Sequence, residues 1–230
     1  MLKATNVEKV YSSNGVPVQA LKGIDLEIGE GDYMVIAGPS GSGKTTLLNV
    51  LGTLDNPTEG RVEIKGEDVS KKSRKELAEL RLRKLGFIFQ AFNLIPVLTA
   101  LENVEFPMML LGVDKKQRHE KASRILADLG IEELKNKRPN QMSGGQQQRV
   151  AVARSIVNDP VIVLADEPTA NLDSKTGRNL LEMMQKMNSE KNITFVFSSH
   201  DRQIIEQGKR LVYLKDGKIT EEEVKDSKSY

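Results

Sequence analysis

The sequence predicts an α/β fold: a mostly parallel sheet flanked by helices, interrupted by a helical insertion. Three observations carry that expectation. Tyr33 to Ala37 is a continuously apolar strand that runs straight into Gly38-Pro39-Ser40-Gly41-Ser42-Gly43-Lys44-Thr45 and a helix. Apolar strand-like runs then alternate with helical patterns down the chain, the arrangement that builds a parallel sheet. Between Leu98 and Leu129 the alternation stops, and helical periodicity with a charged middle takes over.

The elements follow in order. Val18 to Ile28 reads as a strand and Tyr33 to Ala37 as a central one. Thr45 to Leu51 is a helix ended near Gly52. Asn56-Pro57-Thr58-Glu59-Gly60 is a turn, and Arg61 to Ile64 is a short alternating strand. Lys71 to Lys84 is a charged helix, and Gly86 to Phe89 is a strand ending at Gln90. The core resumes with the buried strand Val161 to Ala165. Ser174 to Asn188 is a helix with Ser174 near its N-cap, and Ile193 to Ser198 and Leu211 to Leu214 are strands. The charged stretch from Glu221 to Tyr230 reads as a frayed end.

Bulk properties bound the function. A chain of 230 residues suits one domain with subdomains. Hydrophobic residues at 38% and charged residues at 29% fit a soluble globular chain, and a net charge of +2 offers nothing global for nucleic acid. Cysteine is absent, which excludes disulfides and thiol chemistry. The first residues show no apolar leader, and no window reaches the 18 or so apolar residues of a bilayer span.

Gly38 to Thr45 matches the phosphate-loop pattern in its strand–loop–helix context. Its glycines let backbone N–H groups face phosphate oxygens, with Thr46 next along the helix. Lys44 brings a point charge to the β and γ positions, and the Thr45 hydroxyl is placed to hold Mg²⁺. Asp166, at the end of the Val161 strand, supplies a carboxylate for the same ion. Glu167 beside it is a candidate to polarise an attacking water. Ser143-Gly144-Gly145-Gln146 opens another helix with a glycine pair and offers a second set of bare N–H groups to an anion. His119, in the charge run Asp114 to Glu120, reads as solvated surface, and Arg149 and Arg154 read as structural charges.

Taken in order, these motifs resemble those of ATP-binding cassette (ABC) transporter ATP-binding subunits over nearly the whole chain. The matching segments are the phosphate loop, Gln90, Ser143 to Gln146, Asp166-Glu167, Asn171-Leu172-Asp173 and His200. The resemblance implies a P-loop NTPase (RecA-like) core with an antiparallel β subdomain and an inserted helical subdomain. It divides a single domain, 1–230, into a nucleotide-binding core (1–92 and 160–230) and a helical subdomain (93–159) carrying the Ser143 loop. It implies that Gln90 senses the metal and attacking water, His200 contacts the γ-phosphate, Asp173 lies at a dimer interface and Tyr11, after the first strand, stacks on adenine. Ser143 to Gln146 would close on ATP held by a second copy. One position departs from the family: Met142 stands where leucine is usual, an apolar swap of similar volume.

ATP and Mg²⁺ are therefore the expected ligands. A second ATPase subunit and a separate integral-membrane permease are the expected partners, with the chain peripheral on the cytoplasmic face of the membrane. Phe92 to Pro96, Leu101 to Val104 and Pro168 to Asp173 resemble the lipoprotein-release and macrolide-export branch, and Ala91 to Leu111 is the family's usual docking side. A cell-division or other mechanotransmission ATPase is the neighbouring alternative. A soluble ABC ATPase acting on nucleic acid is the alternative of a different class, disfavoured because the chain lacks coiled-coil arms. Cargo is not readable from this chain.

Overall fold

The computed structural model describes residues 1–13 and 16–225. Among the described residues, ten strands and seven α-helices follow in the order β1 (Leu2–Ser13), β2 (Val16–Ile28), β3 (Tyr33–Ala37), α1 (Lys44–Leu51), β4 (Glu59–Ile64), β5 (Glu67–Asp68), α2 (Arg74–Lys84), β6 (Leu85–Ile88), α3 (Ala100–Leu110), α4 (Lys115–Asp128), α5 (Gly144–Ile156), β7 (Ile162–Asp166), α6 (Ser174–Lys191), β8 (Phe195–Ser199), α7 (Arg202–Gln207), β9 (Arg210–Lys215) and β10 (Lys218–Val224). They form two sheets. One is antiparallel, ordered β2-β1-β4-β5; the other has six strands ordered β10-β9-β3-β8-β7-β6. In the larger sheet all neighbours from β9 to β6 pair in parallel, and β10 alone runs antiparallel, on the β9 edge.

The strand period of two divides the core between the two faces of this sheet. Tyr33, Val35, Ala37, Val163, Ala165, Phe195 and Phe197 pack with the buried faces of α3 to α6. Their neighbours Met34, Ile36, Ile162, Leu164 and Val196 pack the other way, against α1 and the inner face of the antiparallel sheet. Strands buried on both faces read as continuous apolar runs, so these were legible in the sequence. Because β3, β6, β7 and β8 are parallel, their C-terminal ends lie along one edge. That edge carries Gly38, Gln90, Asp166-Glu167 and His200.

Local chemistry moves several expected boundaries. The helix expected from Lys71 begins at Arg74, because Ser73 and Glu76 form a reciprocal capping box. Asp173, not Ser174, caps α6: its carboxylate accepts the N–H groups of Lys175 and Thr176, and Ser174 is the first helical residue. Tyr11 lies inside β1, opposite Val18 of β2, rather than after the strand. The stretch expected to fray is ordered as far as Val224, where Glu221 to Val224 pair with β9; residues 226–230 lie outside the described residues. Met142 is buried in the core beside α5, which explains why an apolar side chain of leucine volume is required there.

Candidate functional site

A cleft is assembled at the strand ends. A cavity of about 750 Å³ is lined by Ser40, Gly41, Gly43, Lys44, Thr45, Thr46, Gln90, Glu167 and His200, together with Val18 to Ala20 of β2. Two glycines of the phosphate loop have no room for a side chain. A Cβ on Gly38 would meet Leu214 O at 2.1 Å, and one on Gly43, at φ 104°, would meet Ala20 O at 2.7 Å. Lys44 donates from Nζ to the carbonyls of Gly38 (2.7 Å) and Pro39 (2.9 Å), which pins the ammonium at the loop mouth. Ser42 is buried and its Oγ has no partner among the described residues. Pinned ammonium, glycine-lined cradle and orphan hydroxyl together fit a polyphosphate.

The opposite wall is acidic. Thr45 Oγ1 donates to Asp166 Oδ1 at 3.2 Å, so a hydroxyl and a carboxylate oxygen meet at the start of α1. Gln90 lines the same cleft. Among the described residues no cluster of three acidic, His or Cys side chains could cage a metal by itself. One hydroxyl and one carboxylate fit Mg²⁺, which takes few protein ligands and completes its shell with water and phosphate. Ser198 Oγ donates to Asp166 Oδ1 at 2.6 Å and orients that carboxylate.

Glu167 sits at the mouth in a left-handed conformation, φ 45°, unusual for a residue with a side chain. Its N–H donates to Ser198 O, tying the turn to β8. Its carboxylate is held from two sides. Ser199 Oγ donates to Oε2 at 2.8 Å, and His200 Nδ1 lies 2.6 Å from Oε1. A carboxylate fixed in this way at the edge of a phosphate cradle can accept a proton from a bound water.

The chain matches the ABC transporter family model over residues 21–170, from β2, ahead of the phosphate loop, to just past Asp166-Glu167. This chain belongs to the ABC transporter family. It is an ATP-binding subunit of that family and an ATPase. The chain superimposes on a dimeric post-hydrolysis structure of the cassette MJ0796, bound to ADP and Pi, with a TM-score of 0.91 and 45% identity, over 99% of this chain and 100% of that one; MJ0796 comes from Methanocaldococcus jannaschii. The lipoprotein-releasing system ATP-binding protein LolD of Aquifex aeolicus is 44% identical over 96% of this chain and 97% of its own. The macrolide export ATP-binding/permease protein MacB of Hyphomonas neptunium is also 44% identical, over 95% of this chain and 34% of its own length.

Two of the expected ABC elements stand apart from the cleft. None of Ser143 to Gln146 lines it. Ser143 caps α5 instead: its N–H donates to Gln146 Oε1 at 2.8 Å, and its Oγ accepts from Gln146 N at 3.3 Å. Gly144 and Gly145 pack against the 171–176 segment, where a Cβ on Gly145 would meet Thr176 Cγ2 at 2.3 Å. Tyr11 is not a lining residue either, although its strand partner Val18 is. Its hydroxyl donates to Asp55 at 2.8 Å.

Sequence reasoning named Asn171 within a motif and Arg154 as a structural charge, and gave no part in the site to Ser198 and Ser199. Ser198 and Ser199 orient the two carboxylates, and Asn171 Nδ2 donates to Gln90 O at 2.8 Å. Arg154 donates to the carbonyls of Phe92 (2.9 Å) and Asn93 (2.5 Å), both in left-handed conformations just after Gln90. Two hydroxyls ending an otherwise apolar strand were the one visible signal. His119 is half exposed as expected, yet its Nδ1 lies 3.1 Å from the nearly buried Glu105, which Arg118 also holds.

Proposed function

We propose that two copies of this chain close head-to-tail around two ATP·Mg²⁺ and so drive a separate membrane permease of the lipoprotein-release and macrolide-export type. The observation that carries this reading is the separation of the two anion-binding elements. Lys44, Thr45, Glu167 and His200 line one cleft, with Asp166 bonded to Thr45 at its edge, while Ser143 to Gln146 presents its glycines elsewhere on the chain. A helix N-terminus built for an anion and placed outside its own chain's cleft is suited to a second chain's nucleotide. The dimeric MJ0796 structure supports the same reading.

In this mechanism the phosphate-loop N–H groups and Lys44 bind the β and γ phosphates, and Tyr11 stacks on adenine. Thr45 and Asp166 would hold Mg²⁺ with Gln90 beside them, and the bound ion would neutralise phosphate charge. Glu167 accepts the proton of the attacking water at its carboxylate. His200, bonded through Nδ1 to that carboxylate, holds it in place and keeps its other ring nitrogen for the γ-phosphate. Ser143 to Gln146 of the second copy excludes water over the γ-phosphate.

Among the described residues no helix is long and apolar enough to cross a membrane, so the work is passed to a partner that does. The 91–111 side carries a suitable groove of about 720 Å³, walled by Leu54, Leu82, Phe87, Phe89, Leu110 and Leu111. MacB carries a permease on the same chain, consistent with this pairing. The chain thus sits peripherally on the cytoplasmic face of the membrane.

Glu167→Gln tests the centre of this proposal. It should retain ATP binding, slow turnover by about 10²–10⁴-fold and leave an ATP-dependent dimer detectable by size-exclusion chromatography. Hydrolysis near the wild-type rate would remove Glu167 as the base.

A further inference from the structure

Asp55 lies outside every motif named above, yet three groups converge on it. Tyr11 Oη donates to Oδ2 at 2.8 Å, Lys9 Nζ donates to Oδ1 at 2.6 Å, and Asn56 N donates to Oδ1 at 2.8 Å. Lys9 also donates to Asn56 O at 2.8 Å, and its ammonium stands 4.9 Å from the centre of the Tyr11 ring. The Lys9 side chain is only 13% exposed and that of Asp55 31%, so the ion pair is partly shielded from water.

Asp55 is itself fastened to the helix that begins with Lys44. The N–H groups of Leu54 and Asp55 both donate to Asn49 O, at 2.8 and 3.2 Å, which extends the end of α1 into the loop. The Tyr11 ring on β1 is therefore tied, through one carboxylate, to the element whose first turn holds Lys44 and Thr45. Ring and phosphate cradle grow from different sheets, which are also bridged through Gly217: Lys22 N–H donates to Gly217 O at 2.9 Å and Gly217 N–H to Ser42 O at 3.0 Å.

We propose that Asp55, with Lys9, is a positioning residue that fixes the Tyr11 ring at a set distance and tilt from the phosphate loop. Lys9 occupies one face of the ring, which leaves the other face for the nucleobase. This inference rests on the reading of Tyr11 as the adenine platform. Asp55 touches neither nucleotide nor metal; it acts on the base through Tyr11 and leaves the phosphates to the loop.

That division supplies the test. Equilibrium binding of ATP and of inorganic triphosphate, which has no base, is measured on the full chain and its variants. Asp55→Ala should weaken ATP about 3- to 10-fold, the worth of one hydrogen bond, and leave triphosphate unchanged. Asp55→Asn, which keeps an oxygen for the Tyr11 hydroxyl, should recover part of the loss. Tyr11→Phe removes only the hydroxyl and should mimic Asp55→Ala, with no further loss in the double variant. Equal losses for ATP and triphosphate would make Asp55 a structural residue and overturn the proposal. Should Asp55→Ala fail to fold, Tyr11→Phe binding ATP like wild type would overturn it in the same way. Tyr11→Ala separates the two readings. If it binds ATP normally, the Tyr11 platform itself falls. If it weakens ATP while Asp55→Ala does not, only the clamp falls.

Discussion

Gln148 donates its side-chain amide to the Pro168 carbonyl at 2.7 Å, joining the helix behind the Ser143 loop to the turn that carries Glu167. Gln148 is fully buried, and its Oε1 has no partner among the described residues. A costly buried amide at this point couples the helix that starts behind Ser143 to the Glu167 turn within one chain.

Gln148→Ala should therefore destabilise the protein by about 1–3 kcal/mol, because the Pro168 carbonyl loses its donor in the interior. It should also lower kcat more than it raises the KM for ATP, since Glu167 shifts while the phosphate loop stays intact. Urea denaturation and steady-state ATPase assays check both. A fall in KM-limited rate with kcat intact would place Gln148 outside the catalytic turn.

Arg154 is pressed for a different reason. Burial pushes its guanidinium pKa down, and it holds two loop carbonyls rather than a carboxylate. Arg154→Met should cost about 2 kcal/mol or more, and Arg154→Lys should recover little, because an ammonium cannot span both carbonyls with one planar fork. Thermal denaturation of the two variants compares them directly.

Ser143→Ala should separate two roles. Loss of the cap acceptor costs about 1 kcal/mol of stability, readable by denaturation. On the two-copy mechanism it should also reduce hydrolysis while leaving nucleotide binding to the monomer unchanged. Equal losses in binding and hydrolysis would sink the shared site.

A pH dependence follows from Asp55. Burial pushes its carboxyl up, but the Lys9 and Tyr11 hydrogen bonds outweigh that and hold it below the ordinary value of 3.8. A depressed carboxyl pKa stabilises the fold fully above the ordinary value, and that contribution is lost as pH falls through the depressed one. The stability gap between wild type and Asp55→Asn should thus be constant near neutrality and close below pH 3.8. Urea midpoints across that range measure it, and a gap that widens with acid would reverse the assignment.

The central sheet was legible because β3, β7 and β8 are buried on both faces and end in residues that punctuate them, Gly38, Asp166 and His200. The edge strand β10 was not. Its Glu221-Glu222-Glu223 run is exposed, the composition of a disordered end and equally of an edge protected by charge. Asp173 and Ser174 are both good caps side by side; only the extended backbone of Asp173 decides between them. The phosphate loop and the two acids announced themselves by spacing. The partners of Gln148, Arg154, Asn171 and Asp55 did not, because each lies far along the chain, and local sequence carries no trace of such pairings.

The 2.3 Å clearance between a Cβ on Gly145 and Thr176 has a mechanical consequence. The first turns of α5 and α6 are pressed together without room for a methyl group, and Thr176 is in turn bonded to Asp173. Ser143 and Asp173 therefore stand on two helix starts packed directly against each other. An approaching surface meets both at once or neither, and any hinge that lets the helical insertion swing must bend somewhere other than between them.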